Sequence, residues 1–401
     1  MKPLLAVATP EQRRILEAAA AIASETTLRA WVVGGPVRDA LLGRPFGDVD
    51  FTLERGAPEF ANRLAGVLGG EVRQFDRFMT VRIELPSNDA IDVATTRAEE
   101  YSRPGALPTV RPAGLIEDLR RRDFTINALA VDLSSGAVED AFEGIADLER
   151  GLLRVLHAES FRDDPTRMFR AVRLTARLGF ELEPATAALM REALEQRAMD
   201  EVSRERRWRE LRLAMDEPDP AAALFELASR GTLEPLLGSV RRGTDLRERL
   251  TEAVKVVQAE PQLDTELLLL AALVPEEPDL RGSAFGRRRI EALRLLLDRE
   301  RIADGIRSGA VDSRDMTNAS EELLALFERD PALCAAASRE RDSRRIELPF
   351  RGHELELPPG PHLGLAFRDT RKAIASGKIT EAEALSFARD RALEYLRGET
   401  S

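Results

Sequence analysis

The sequence predicts an α+β chain, with an N-terminal mixed-sheet head over residues 1–150 and an all-α remainder. The remainder divides into a neck at 151–215, a body at 216–335 and a tail at 336–401. Three observations predict this. Short alternating segments separated by Gly and Pro turns occupy residues 28 to 136. From residue 160 onward the apolar residues recur at helical spacing almost throughout. The hydrophobic content, 43% of 401 residues, is enough to build more than one core.

The elements follow in order. Residues 28–33, Leu-Arg-Ala-Trp-Val-Val, read as a strand that runs into Gly34-Gly35 and a short helix to Leu42-Gly43. Asp48-Val-Asp-Phe-Thr-Leu53 alternates as a strand, and an amphipathic helix near 58–68 closes at Gly69-Gly70. Met79–Leu85 and Ala90–Ala94 alternate again. A Pro/Gly-rich stretch over 99–115 reads as a loop, and Phe124–Asp132 as an apolar run ending in the turn Ser134-Ser-Gly136. Helical spacing then marks 165–178, 184–198, 203–215, 220–230, 243–258, 264–273, 285–299, 318–328 and 380–397, while four prolines between Leu348 and Leu363 interrupt it.

Composition narrows the chemistry. One cysteine, Cys334, makes neither a disulfide framework nor a thiolate zinc site, and His157, His353 and His362 are too scattered for a histidine-rich metal centre. Any metal is expected on oxygen ligands. The formal net charge is −11, which argues against a uniformly basic nucleic-acid surface, and four lysines against 55 arginines make chance Arg clusters common. No leader peptide is recognisable and no apolar run reaches the 18 residues of a membrane span, so a cytoplasmic protein without a membrane is expected.

The sharpest local feature is Gly34-Gly-Pro-Val-Arg-Asp-Ala-Leu-Leu-Gly43 followed by Asp48-Val-Asp50. Two glycines at a strand end let the backbone approach a phosphate, and the next helix start, with Arg38, can hold its charge. Side chains two apart on a strand share a face, so Asp48 and Asp50 can converge on one divalent cation, joined by Asp92 if its strand lies alongside. A Gly-Gly turn or a D-x-D pair alone is commonplace. Within seventeen residues, with Arg38 between, they point to a triphosphate and metal site, because two acids beside an apolar strand otherwise repel each other.

This segment resembles the signature of the class II nucleotidyltransferases, the family of CCA-adding enzymes and bacterial poly(A) polymerases. Later motifs match in order over residues 30–215. Arg121-Arg-Asp-Phe-Thr-Ile-Asn-Ala-Leu-Ala130 resembles the ribose-binding segment, and Asp140-Ala-Phe-Glu-Gly-Ile-Ala-Asp-Leu148 the hinge. Phe161-Arg-Asp-Asp-Pro-Thr-Arg-Met-Phe-Arg-Ala-Val-Arg173 resembles the nucleobase-recognition helix, and Val202-Ser-Arg-Glu-Arg-Arg-Trp-Arg-Glu-Leu211 the last neck motif. On a helix, Arg167, Arg170, Arg173 and Arg177 fall within roughly 120° of one another, opposite Met168, Phe169, Val172 and Ala176. Such a stripe is often a solvated face, and Asp164 before Pro165 is also an ordinary N-cap.

The resemblance implies attack of a tRNA 3′-hydroxyl on the α-phosphate of CTP or ATP, with no nucleic-acid template and no protein partner. Asp48 and Asp50 would hold Mg²⁺, with Asp92 on a second ion or the attacking hydroxyl. Gly34, Gly35 and Arg38 would take the triphosphate, and Arg122, Asp123 and Asn127 would face the ribose. Asp164 and Arg167 would select the base, with Arg170 and Arg173 reaching toward the nucleotide. In the family a shortened loop at the position of 99–115 accompanies loss of A addition. Its full length here favours CCA or A addition over CC addition. A non-catalytic RNA-binding module with a decayed head would lack Asp48, Asp50 or Arg38, and all three are present.

Overall fold

The computed structural model describes residues 1–26, 28–75, 79–87, 89–106, 108–308, 316 and 318–398. It contains two compact units, Met1–Leu236 and Leu237–Ser401.

The first unit opens with α1 (Lys2–Val7) and α2 (Pro10–Thr26), which buries Ile15, Leu16, Ala19, Ile22 and Ala23 at helical spacing. There follow β1 (Ala30–Val33), α3 (Gly35–Leu41), β2 (Asp50–Leu53), α4 (Ala57–Leu68), β3 (Glu71–Phe75), β4 (Thr80–Glu84) and β5 (Ala90–Thr95). Next come β6 (Arg97–Glu100), β7 (Thr109–Pro112), α5 (Leu115–Arg120), a 3₁₀ turn at Thr125–Asn127, β8 (Leu129–Asp132), β9 (Val138–Asp140) and α6 (Gly144–Arg150). Seven strands form one mixed sheet in the order β3-β4-β5-β2-β1-β8-β9. Only β2 and β5 run parallel in it, and they bring Asp50 opposite Asp92. The four residues of β1 are all buried, as a central strand requires, and α4 covers the sheet with Phe60, Ala61, Leu64 and Leu68.

Two sequence expectations are corrected here. The stretch 99–115 carries a hairpin, β6 with β7, pairing Arg97 with Pro112 and Glu100 with Thr109. Its proline sits at the strand end, where no ladder donor is needed. The run Phe124–Asp132 is not one strand: its first half closes into the 3₁₀ turn, because buried Thr125 and Asn127 take side-chain partners there. Strand β3 was not anticipated, since four of its five residues are exposed and leave no alternation.

The unit continues through β10 (Leu152–Leu153), α7 (Ser160–Asp163), α8 (Arg167–Leu178), β11 (Glu181–Leu182), α9 (Pro184–Glu195), α10 (Arg204–Met215), α11 (Pro220–Ser229) and α12 (Glu234–Leu237). The expected apolar face of α8 is buried, with Met168, Phe169 and Val172 fully enclosed.

The second unit is helical: α13 (Gly243–Ala259), α14 (Thr265–Leu273), α15 (Arg287–Leu297), α16 (Arg299–Arg307), α17 (Glu321–Phe327), α18 (Cys334–Arg345), α19 (Pro361–Ala375) and α20 (Ala384–Arg397). The expected helix 285–299 ends at Leu297, and α16 starts after Asp298. Helix α18 was missed because little of its sequence is apolar. It is held instead by buried Arg341, which pairs with Glu260, Glu321 and Glu328. Among the described residues no helix is long and apolar enough to cross a membrane.

Candidate active site

The site begins where β1 ends. Gly34 adopts φ 78°, a conformation that L side chains avoid, and a Cβ there would stand 3.0 Å from Nη1 of Arg122. The glycine therefore lets a guanidinium lie against the turn. The first amides of α3 have no intrahelical acceptor, as at any helix start. Arg38 in α3 is buried: its Nε and Nη2 each donate to Asp39 at 2.8 Å, and its Nη1 donates to Asn127 Oδ1 at 2.7 Å.

The carboxylates stand beside this turn. Asp50 is the first residue of β2, and Asp92 is its register partner on β5, so both side chains share one face of the sheet. Across β5, Arg82 of β4 pairs loosely with Asp92 at 3.9 Å. Asp48 precedes the strand rather than lying in it, but it acts on Asp50. The Asp50 side chain is open to solvent but crowded by neighbouring charges, and its pKa is pushed up to about 6. Loss of surrounding solvent is the main cause, followed by the charges of Asp92 and Asp48, while Arg122 and Arg82 pull the other way.

Arg122 is aimed by Asp118, a fully buried carboxylate on α5 that accepts from Arg122 Nη2 at 3.1 Å and from Arg121 Nη2 at 2.8 Å. Burial pushes Asp118 up, yet the two guanidinium groups outweigh it and hold its pKa below the ordinary value. Beside it, Asp123 is buried and saturated. Its Oδ1 accepts from Phe124 N and from Asn127 Nδ2, each at 2.9 Å, and its Oδ2 accepts from Arg170 Nε at 2.8 Å. Burial alone would raise Asp123, but Arg170, Asn127 and Arg167 bring its pKa down to about 2.

The recognition segment differs from the expectation in detail. Helix α8 starts at Arg167, with Thr166 in the cap position. Asp164 therefore does not cap it: its Oδ1 accepts from Thr166 N at 3.1 Å and Thr166 Oγ1 at 2.7 Å, a local turn that Pro165 enforces. The guanidinium beside Asp164 is that of Arg206 on α10, at 3.1 Å, which also donates to Gly105 O at 2.8 Å. Arg167 is buried and donates to Ser160 Oγ and to Arg121 O, both at 2.7 Å. Arg173 turns from α8 toward the segment after α10, where it joins Arg177 on buried Glu217 at 2.8 and 2.7 Å.

The fold thus gathers Gly34, Gly35, Arg38, Asp48, Asp50, Asp92 and Arg122 about one turn and strand pair, and hydrogen bonds join them to Asp123 and Arg170. Arg173 lies outside that network. Sequence reasoning missed Asp118 and Arg206. Asp118 had a signal, since it stands three and four residues before Arg121 and Arg122, the spacing of helical neighbours. Arg206 lies within the last neck motif, but its partner Asp164 stands 42 residues away and no local spacing pairs them.

The oxygen-rich donor set fits a hard divalent cation. Among the described residues no three His, Cys, Asp or Glu side chains already stand as a closed metal cage. Mg²⁺ seldom needs one, being commonly held by one or two carboxylates, waters and substrate phosphates.

A family described as the Poly A polymerase head domain matches residues 30–154. The CC-adding tRNA nucleotidyltransferase of Deinococcus radiodurans is 32% identical over 360 residues, covering 88% of this chain and 86% of that protein. The A-adding tRNA nucleotidyltransferase of Halalkalibacterium halodurans is 40% identical over 235 residues, covering 57% of this chain and 55% of that protein. The chain spans 27% to 55% of the length of the three A-adding relatives it matches. A solved CCA-adding enzyme in an apo form has the same fold, with a TM-score of 0.80 at 25% identity over 100% of this chain and 98% of that one.

Proposed function

The chain belongs to the class II nucleotidyltransferases, and on that premise we propose that it extends the 3′ end of tRNA with C and A from CTP and ATP, without a nucleic-acid template, in the cytoplasm. The observation that carries this reading is the in-register pair Asp50 and Asp92, with Asp48 close by, next to a glycine turn on which Arg122 rests.

Asp48 and Asp50 hold Mg²⁺ in this reading, and the raised pKa of Asp50 supports it, because carboxylates crowded by their own charge are relieved by a cation. Bound there, the ion neutralises phosphate charge and lowers the pKa of the attacking hydroxyl. The chain's own residues do the rest. The Gly34-Gly35 turn lets the triphosphate approach the backbone, and Arg122, aimed by Asp118, meets its charge. Arg38 steadies that turn from below through Asp39 and Asn127. Asp92 stands beside Asp50 to assist deprotonation or carry a second ion. Asp123 and Arg170 mark the ribose side. Asp164, held by Arg206, presents an acceptor for the Watson–Crick edge of cytosine or adenine, and Arg167, whose terminal nitrogens donate to Ser160 and to the Arg121 carbonyl, anchors the start of α8 beside it. The helical neck, body and tail at 151–215, 216–335 and 336–401 would grip the RNA backbone.

CC addition alone is the second reading, favoured by the likeness that covers 86% of the Deinococcus radiodurans protein. Transcripts ending before CCA, after C and after CC, each supplied with CTP or ATP, separate the readings. Full CCA addition extends all three. CC addition stops before A, and A addition extends only the CC-ending transcript. No incorporation on any transcript with Mg²⁺ present refutes the proposal.

A further inference from the structure

Between the phosphate turn and the recognition helix, Asn127 joins more than Arg38. Asn127 is buried, its Oδ1 accepts from Arg38 Nη1 at 2.7 Å, and its Nδ2 donates to Asp123 Oδ1 at 2.9 Å. The amide orientation is dictated by its partners, since a guanidinium only donates and an ionised carboxylate only accepts. Asp123 passes the connection to Arg170 on α8, and Arg38 passes it to Asp39 on α3. A continuous chain of charge-assisted hydrogen bonds, Asp39–Arg38–Asn127–Asp123–Arg170, therefore runs from the turn to the helix.

We propose that Asn127 is a positioning residue, which fixes the spacing between the phosphate-holding turn at Gly34-Gly35 and the nucleobase-recognition helix α8 by holding Arg38 and Asp123 at once. This deepens the proposed nucleotidyl transfer and rests on that reading. The amide is itself held from the far side. The neighbouring Thr125 hydroxyl donates to Asp147 at 2.6 Å, and Gly144 packs so closely on the Thr125 carbonyl that a Cβ there would lie 2.4 Å from its oxygen. The 3₁₀ turn that carries Asn127 thus has little room to shift. A group that bridges a cation and an anion must be an acceptor on one side and a donor on the other. A carboxylate satisfies Arg38 but confronts Asp123 with a second negative charge, and an aliphatic side chain leaves Arg38 Nη1 without its acceptor and takes one donor from Asp123 Oδ1. The charged groups around the site are Arg38, Asp39, Asp123, Arg167 and Arg170.

The test is Asn127→Asp compared with Asn127→Leu, reading KM and kcat for CTP and ATP from about pH 5.5 to 8.5, with the thermal midpoint at each pH. The relay predicts that Asn127→Asp raises KM about tenfold or more at pH 8, the size of a lost buried hydrogen bond. As the pH falls its KM returns toward the unmodified value, because the protonated carboxyl again offers a carbonyl acceptor to Arg38 and an O–H donor to Asp123. Asn127→Leu has raised KM at every pH. Unmodified KM values for Asn127→Asp at pH 8 would overturn the proposal. So would a loss of kcat that follows the thermal midpoint and shows no recovery in acid, since that is a merely structural role. If the unmodified chain adds neither nucleotide, the reading of its function fails separately, and dissociation constants for CTP and ATP across the same variants and pH values still decide on the relay.

Discussion

Asp50 combines three properties: it is the register partner of Asp92, it starts a strand beside the glycine turn, and its pKa stands at about 6 instead of the ordinary 3.8. A carboxyl raised in the folded state stabilises the fold fully below its unfolded pKa, and this contribution is lost as pH rises through the folded value. In metal-free protein the fold should therefore lose stability between about pH 4 and 6 from this group. Carboxyl-carbon NMR of metal-free protein is expected to show one Asp titrating near 6, moving well down on adding Mg²⁺. An ordinary titration for all of Asp48, Asp50 and Asp92 would contradict the electrostatic account. Gly34 carries the second residue-scale expectation. Gly34→Ala forces a side chain into φ 78° and against the Arg122 guanidinium, costing about 2 kcal/mol and raising KM for nucleotide more than it lowers kcat. Unchanged KM and thermal midpoint would show that Arg122 does not need this glycine. At this scale the sequence was most informative where a local period carries the meaning. Asp48-Val-Asp50 and Gly34-Gly35 identify themselves within a few residues. Arg38 was foreseen on the triphosphate, and the structure shows it engaged with its chain neighbour Asp39 and with Asn127, a partner that only the fold brings to it.

The secondary-structure elements follow local chemistry unevenly. Helices α4 and α8 were readable because each buries an apolar face at helical spacing, and β1, β2 and α14 because each buries a short continuous run. The β6–β7 hairpin and helix α18 were not, because their stability comes from partners far along the chain: a strand pairing in one case and the carboxylates around Arg341 in the other. The same distinction explains Arg173. Its place in the arginine stripe of α8 was visible, but Glu217, 44 residues later and nearly fully buried, draws it toward the segment after α10. Glu217→Ala should leave Arg173 and Arg177 without their shared acceptor and lower stability by about 3 kcal/mol. Denaturant unfolding checks this, and a change below about 0.5 kcal/mol would show that the cluster does not bind α8 to the segment that carries Glu217.

For the molecule as a whole, the division into a mixed-sheet head and a helical remainder was readable because hydrophobic periodicity changes from two to 3.6 near residue 160. The catalytic constellation was legible as separate motifs, but not its joining. The parallel β2–β5 pairing that sets Asp50 beside Asp92, and the buried Asn127 that ties Arg38 to Asp123, depend on topology that no local pattern encodes. The central claim is that this chain transfers nucleotides to RNA through the acids of that strand pair. The most direct measurement is incorporation of α-labelled CTP and ATP into tRNA transcripts truncated within CCA, with Mg²⁺, by the unmodified chain and by Asp50→Asn. The account predicts labelled extension by the unmodified chain and a loss of at least about a thousandfold in kcat for Asp50→Asn with the fold intact, about 4 kcal/mol of transition-state stabilisation. Extension at an undiminished rate by Asp50→Asn would contradict it.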